Sequence, residues 1–292
     1  MASREGEGGG DSSEGELGNF MEEPEDYFQP ARPEQTVEVS VCEAAGEYVP
    51  EVRLRLLGEH PLWGHLLWNA SVVVAELMFA ASTSSPPSLS RAGPSFAPAF
   101  VPSEELLPRL AACLDVRGKA VAELGAGSGL PSVTAAKLGS SRAVATDFPD
   151  AELLDNLAAN GHANLPASHA GRYHVAGHQW GKEAAGALAS AEGFDLVVLS
   201  DLIFNHSAHA DLLSSAHRLL RRQGCAVVAF SHHRPHLAAK DLDFFRLARE
   251  GAHPFEVTRL CTVALKPMFE NDPGDPAERA TVHVYLLHPI AI

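Results

Sequence analysis

Three glycines at alternate positions, in Glu123-Leu124-Gly125-Ala126-Gly127-Ser128-Gly129-Leu130-Pro131, constrain this chain more than any other feature. Ahead of them, Lys119-Ala120-Val121-Ala122 reads as the start of a buried strand, and behind them Val133 to Leu138 reads as a helix. A backbone without Cβ atoms can turn sharply and lie flat against a ligand. Strand, glycine turn and helix in that order belong to an open α/β sheet, whose ligands bind at the carboxyl ends of the strands. Asp147 ends the next apolar run, Ala143 to Thr146, where a carboxylate can accept hydrogen bonds from both ribose hydroxyls. The pair implies a nucleoside-bearing cofactor. Glycines at i, i+2 and i+4 lack the G-x-G-x-x-G spacing of dinucleotide enzymes. The loop also begins late in the chain, and Glu123 precedes it where an acid could meet an amino-acid moiety. These details favour S-adenosylmethionine.

Strand-like runs recur at Arg142–Asp147, Tyr173–Ala176, Phe194–Asp201, Gly224–Ser231, Phe255–Thr262 and Thr281–Leu287. Helical patterns fall between them at about Leu130–Leu138, Ala151–Ala159, Ala208–Leu220 and Lys240–Glu250. The alternation predicts a mostly parallel sheet covered on both faces. No clear helix separates the last two runs, so the final strand is expected to be antiparallel. Upstream, Thr36–Val41 and Val52–Leu56 alternate like a hairpin, and His65–Ala80 reads as a helix.

At 292 residues and 46% apolar, the chain can bury one large core. Residues 36–292 are predicted to form that domain, with the serine- and proline-rich stretch 81–103 as a surface insertion. Residues 1–35 hold ten acids against Arg4 and Arg32, which is −8 of the net −15, and are too poor in apolar groups to offset ordering entropy. They are predicted to be disordered. An acidic chain is a poor grip for nucleic-acid phosphates and favours basic partners. Cys42, Cys113, Cys225 and Cys261 are scattered, which favours reduced thiols. With no charged and apolar leader at the start and no long apolar helix, a cytoplasmic monomer without a membrane span is expected.

A second polar cluster, Leu199-Ser200-Asp201-Leu202-Ile203-Phe204-Asn205-His206, leaves the fourth strand of the sheet. Asp201 is placed to face a substrate amine, with Phe204 and Asn205 shaping a pocket; the competing reading makes Asp201 a helix cap. Of the three tryptophans, Trp180 is placed to border adenine and Trp68 to open a helix over the other side of the cofactor. Core packing accounts for Trp63, Trp68 and Trp180 equally well. His206, His209 and the run Ser231-His232-His233-Arg234-Pro235-His236 invite a metal, but no carboxylate or cysteine set stands at ligand spacing around them, so no metal is expected. His232, His233 and Arg234 read instead as a pocket rim.

These stretches together resemble the fungal protein N-terminal and lysine methyltransferases of elongation factor 1-alpha, within the seven-strand lysine methyltransferases. The resemblance rests on Pro61 to Ala70, Glu123 to Ser132, Thr146 to Asp150, Trp180-Gly181, Leu199 to His206, His233-Arg234-Pro235 and Lys266 to Phe269. It implies a seven-stranded sheet of order 3-2-1-4-5-7-6 with one antiparallel strand. It implies cofactor contacts at Trp68, Gly125, Ala126, Gly127, Asp147, Trp180 and Ser200. Asp201 to Phe204 stands where that family carries Asp-x-x-Tyr or Asp-x-x-Phe near the incoming amine. The implied substrate is the N-terminal amine of elongation factor 1-alpha, with the adjacent lysine a further target. The acidic tail and the serine/proline insertion have no counterpart in that pattern. Two rival readings share the fold: a nicotinamide-type small-molecule methyltransferase, and a non-catalytic partner of the elongation factor.

Overall fold

The computed structural model describes residues 33–40, 51–58, 60–62, 64–83, 106–269 and 273–290. Residues 1–32 of the acidic tail, Cys42, Trp63 and residues 84–103 of the insertion lie outside them. The hairpin comes first, with β1 (Gln35–Ser40) antiparallel to β2 (Glu51–Leu56). Its strict alternation leaves Val52, Leu54 and Leu56 buried and their neighbours exposed. Gln35, assigned above to the tail, is the first residue of this pairing.

Helix α1 (Asn69–Thr83) starts four residues later than His65, because the chain before it turns rather than winds. The His60 ring accepts the Leu62 amide at 3.2 Å, and Ser71 returns both its amide and its hydroxyl to the Trp68 carbonyl. The helix then continues through Thr83, three residues into the stretch read as insertion. It is apolar nearly all round and buried nearly all round. A short helix, α2 (Leu106–Leu114), follows, with Pro108 in its first turn, where a missing amide donor is tolerated.

The main sheet follows with β3 (Ala120–Leu124), α3 (Leu130–Lys137), β4 (Arg142–Asp147), α4 (Ala151–Asn164), β5 (Tyr173–Gly177) and β6 (Phe194–Ser200). It continues with α5 (His209–Leu219), β7 (Leu220–Ser231), α6 (Ala238–Glu250), β8 (Phe255–Ala264), α7 (Pro276–Arg279) and β9 (Thr281–Pro289). The strand order is β5-β4-β3-β6-β7-β9-β8, with β9 antiparallel to both neighbours and the rest parallel. Counted within the sheet, that is 3-2-1-4-5-7-6, as expected. β7 begins at Leu220 rather than Gly224, since Leu220 takes an extended backbone directly from the end of α5.

Alternate side chains of the central strands divide the core. Val121, Leu196, Val198, Cys225, Val227, Val284 and Leu286 pack beneath α1 and α2. Ala122, Leu124, Val197, Leu199, Val228 and Phe230 pack on the opposite face with Leu212, Ala216, Phe244 and Phe245 from α5 and α6. Because β3 and β6 are neighbours where strand order reverses, the loops leaving Leu124 and Ser200 emerge side by side.

Candidate functional site

The glycine loop is held in a conformation that side chains resist. Gly125, Gly127 and Gly129 have φ of +57°, +53° and +78°, all in the left-handed region. Gly129 sits at the start of α3, with Pro131 in its first turn, where a missing amide donor costs nothing. The loop is pinned to β4: the Ala126 amide donates to the Thr146 carbonyl at 2.8 Å, and the Gly127 amide to Asp147 Oδ2 at 2.8 Å. A Cβ on Gly125 would strike Leu202 at 2.6 Å and the Trp180 ring at 3.3 Å, whereas one on Gly127 would meet nothing within 4 Å. The loop thus forms a cradle open at Gly127, bordered by Leu202, Trp180 and Asp147.

Asp147 accepts from Gly127 with one oxygen and from the Phe148 amide with the other, at 2.8 Å each. Each carboxylate oxygen keeps a further lone-pair site, so a ribose diol can be accepted without breaking either bond. Burial pushes its carboxyl above the ordinary value, and these two amides oppose the shift. Trp180 is positioned by the turn after it: the Gly181 amide donates to Ser215 Oγ at 2.8 Å, and the His178 ring bonds the same hydroxyl at 3.0 Å.

Glu123 is 0% exposed, and its Oε1 is buried with no hydrogen-bond partner among the described residues. Oε2 accepts from the Ser132 amide at 2.9 Å and the Ser132 hydroxyl at 2.6 Å, tying the end of β3 to the first turn of α3. Burial raises this carboxyl to about 8, against the pull of Ser132. It braces the loop from beneath.

Across the cradle, Asp201 is the sole non-glycine residue among those described with positive φ, at 59°. Its amide donates to the Ala229 carbonyl at 2.8 Å. Oδ1 accepts from His233 Nε2 at 2.9 Å and, weakly, from the Ser231 amide at 3.4 Å. Oδ2 is buried and has no hydrogen-bond partner among the described residues. A cap role is excluded, because the next α-helix begins eight residues on and the carboxylate turns toward β7 instead.

His233 in turn belongs to a ring cluster. Its centroid lies 5.2 Å from Trp68 and 6.3 Å from Phe269, Trp68 lies 6.1 Å from Phe269, and all three contacts are edge-on. Asn69, next to Trp68, fastens this corner by donating to the Lys266 carbonyl at 2.7 Å. Three distant segments therefore meet at His233, which holds the Asp201 carboxylate.

Of the remaining expected residues, Ser200 is buried at the last position of β6, beside Asp201. Phe204 is half-buried and makes no ring contact with the cluster among the described residues; its carbonyl accepts from Arg234 at 3.4 Å. Asn205 is used locally, its Oδ1 accepting from Ser207 at 2.9 Å. Three of the other histidines have protein partners: Asp241 bonds His206 and His232 at 2.7 Å each, and His209 donates to the Ile203 carbonyl at 2.7 Å. His233 and Phe269 were not read as part of the amine site. The sequence offers His233 as a pocket-rim residue, and Phe269 only as part of a stretch carrying the family resemblance.

The arrangement offers a nucleoside cradle at one strand end and, on the adjacent strand end, an acid walled by aromatic rings. Comparison with known proteins places the chain among methyltransferases. The family model described as "Lysine methyltransferase" matches residues 58–250. A Candida glabrata protein, "Protein N-terminal and lysine N-methyltransferase EFM7", is 36% identical, over 93% of this chain and 95% of its own length. Proteins of the same name from Schizosaccharomyces pombe and Eremothecium gossypii are 36% and 38% identical, over 91% and 81% of this chain and 93% and 80% of theirs.

Proposed function

The chain belongs to the lysine methyltransferase family, as an S-adenosylmethionine-dependent protein methyltransferase, and we propose that its acceptor is the N-terminal amine of elongation factor 1-alpha. The adjacent lysine is the second candidate, in keeping with relatives named for both activities. The observation that carries the reading is Asp201, with one oxygen held by His233 and the other left for a donor, beside three edge-on rings.

Asp147 would hold the ribose, the backbone of Gly125, Ala126 and Gly127 would lie along the cofactor, and Trp180, Trp68 and Ser200 would border it. Bound there, S-adenosylmethionine supplies an electrophilic methyl group whose leaving group departs as a neutral thioether. The protein has little acid catalysis to perform. Asp201 Oδ2 accepts a hydrogen bond from the amine and aims its lone pair. The amine gives its extra proton to water before the new N–C bond forms. Trp68, His233 and Phe269 exclude water and face a nascent methylammonium with π-systems, which alkylated amines favour. The chain's net −15 suits approach by a basic protein terminus.

The test is methyl transfer from labelled S-adenosylmethionine to purified elongation factor 1-alpha, with and without N-terminal acetylation. Label on the terminal residue that acetylation abolishes supports the proposal. Label that survives acetylation moves the site to lysine, and label found only on small metabolites favours a nicotinamide-type enzyme.

A further inference from the structure

Far from the methyl-transfer edge, three soft ligand atoms converge. Cys113 comes from the last turn of α2, Cys225 from β7 and His288 from β9, and their Sγ, Sγ and imidazole nitrogen all lie within 4.8 Å of one another. Strand register explains the meeting. Ala226 pairs with Leu287, so Cys225 and His288 fall opposite each other one step on, on the face that α2 covers.

We propose that Cys113, Cys225 and His288 bind a thiophilic divalent cation of the zinc class. The observed separation of Cys113 Sγ from His288 Nε2 is 3.5 Å. Tetrahedral zinc, with Zn–S about 2.3 Å and Zn–N about 2.0–2.1 Å, sets sulfur and nitrogen ligands about 3.5 Å apart and two sulfurs about 3.8 Å apart. The 4.8 Å bound therefore leaves at most a small side-chain adjustment. Two thiolates and an imidazole, with no carboxylate among them, select zinc over magnesium or calcium.

Both thiols must give up their protons to ligate the cation. Binding of the cation forms two M–S bonds and one M–N bond. It releases two protons to water, one from Cys225 and one from the Cys113–His288 pair, with no change of oxidation state. The half-exposed His288 gives access from solvent, leaving the fourth position to water.

The site is separate from the chemistry. Cys225 pairs with Leu196, four residues before Ser200, which places it about 13 Å from the reacting edge at about 3.3 Å per residue. A cation there would clamp α2 to β7 and β9. Lys119 already fastens the end of the same helix, donating to the Ala112 carbonyl at 2.7 Å.

Titration of the reduced full chain with cobalt(II), as a probe for zinc, tests this. One cobalt per chain is expected, with thiolate-to-cobalt charge transfer and tetrahedral ligand-field bands. Affinity should fall by more than about a hundredfold in C113S and in H288A, since even outer partners of metal ligands are worth about 10–100-fold. C261S, which alters the other free cysteine among those described, should bind as the native chain does. His288 is half-exposed, so H288A remains informative should a buried cysteine variant fail to fold. A reduced chain that takes up no cobalt overturns the proposal, as does uptake unchanged in H288A.

Discussion

Two carboxyls a few ångströms from the glycine loop do opposite things, and burial decides which. Asp147 keeps lone pairs for a ligand, whereas Glu123 is sealed beneath α3. For Asp147→Ala, loss of hydrogen bonds to a charged acceptor, about 1.5–3 kcal/mol, predicts S-adenosylmethionine affinity about 10–100-fold weaker by calorimetry. Unchanged affinity would remove the ribose assignment. Glu123 has a raised carboxyl, so the folded chain keeps a proton that the unfolded chain surrenders. Its contribution is therefore fully present below the ordinary value of 4.5 and is lost as pH rises through about 8. Glu123→Gln still accepts from Ser132 but cannot ionise. Its melting temperature should fall less than that of the native chain between those pH values, the residual slope belonging to Asp147, which is raised in the same sense. Parallel melting curves would refute the assignment.

Elements were legible where their signal is local. The glycine turn, the acid ending β4 and the polar cluster leaving β6 all announce themselves within a few residues, and the sheet that follows from them is the one observed. Helix α1 was misplaced by four residues because an apolar stretch does not reveal that His60 and Trp68 tie up the chain before it. Contacts between distant residues were invisible. His233 meets Asp201 across 32 residues, and Cys113 meets His288 across 175. The asparagines of α4 form a third such case. Asn160 accepts the Arg55 amide and donates to the Arg55 and Ser128 carbonyls, while Asn164 exchanges two bonds with Arg53. This row satisfies the free edge of β2 and binds it to the glycine loop, an edge that would otherwise invite another strand. Asn160 is 1% exposed, so Asn160→Ala strands buried backbone groups and should cost about 1–3 kcal/mol in urea unfolding. Asn164→Ala, at the exposed end of the row, should cost less. Equal effects would argue against a buried network.

Over the whole molecule, topology does the work of assembling the site. Placing β3 beside β6 brings the cradle and the acid together although 76 positions separate Gly125 from Asp201. The ring wall is added by Trp68 just ahead of α1, His233 after β7 and Phe269 after β8, and among the described residues no helix is long and apolar enough to cross a membrane. The cofactor half of the site and the amine half are thus carried by different strands and should fail separately. Asp201→Asn is the substitution that separates them, because asparagine tolerates the left-handed backbone at this position and still accepts from His233 while losing the charge. The decisive measurement is its methylation rate on elongation factor 1-alpha beside its affinity for S-adenosylmethionine. The predicted result is a kcat/KM lower by on the order of a hundredfold, the usual scale for one preorganised electrostatic contact, with cofactor affinity unchanged. Native kcat/KM in Asp201→Asn, or a parallel loss of cofactor binding, would contradict the account.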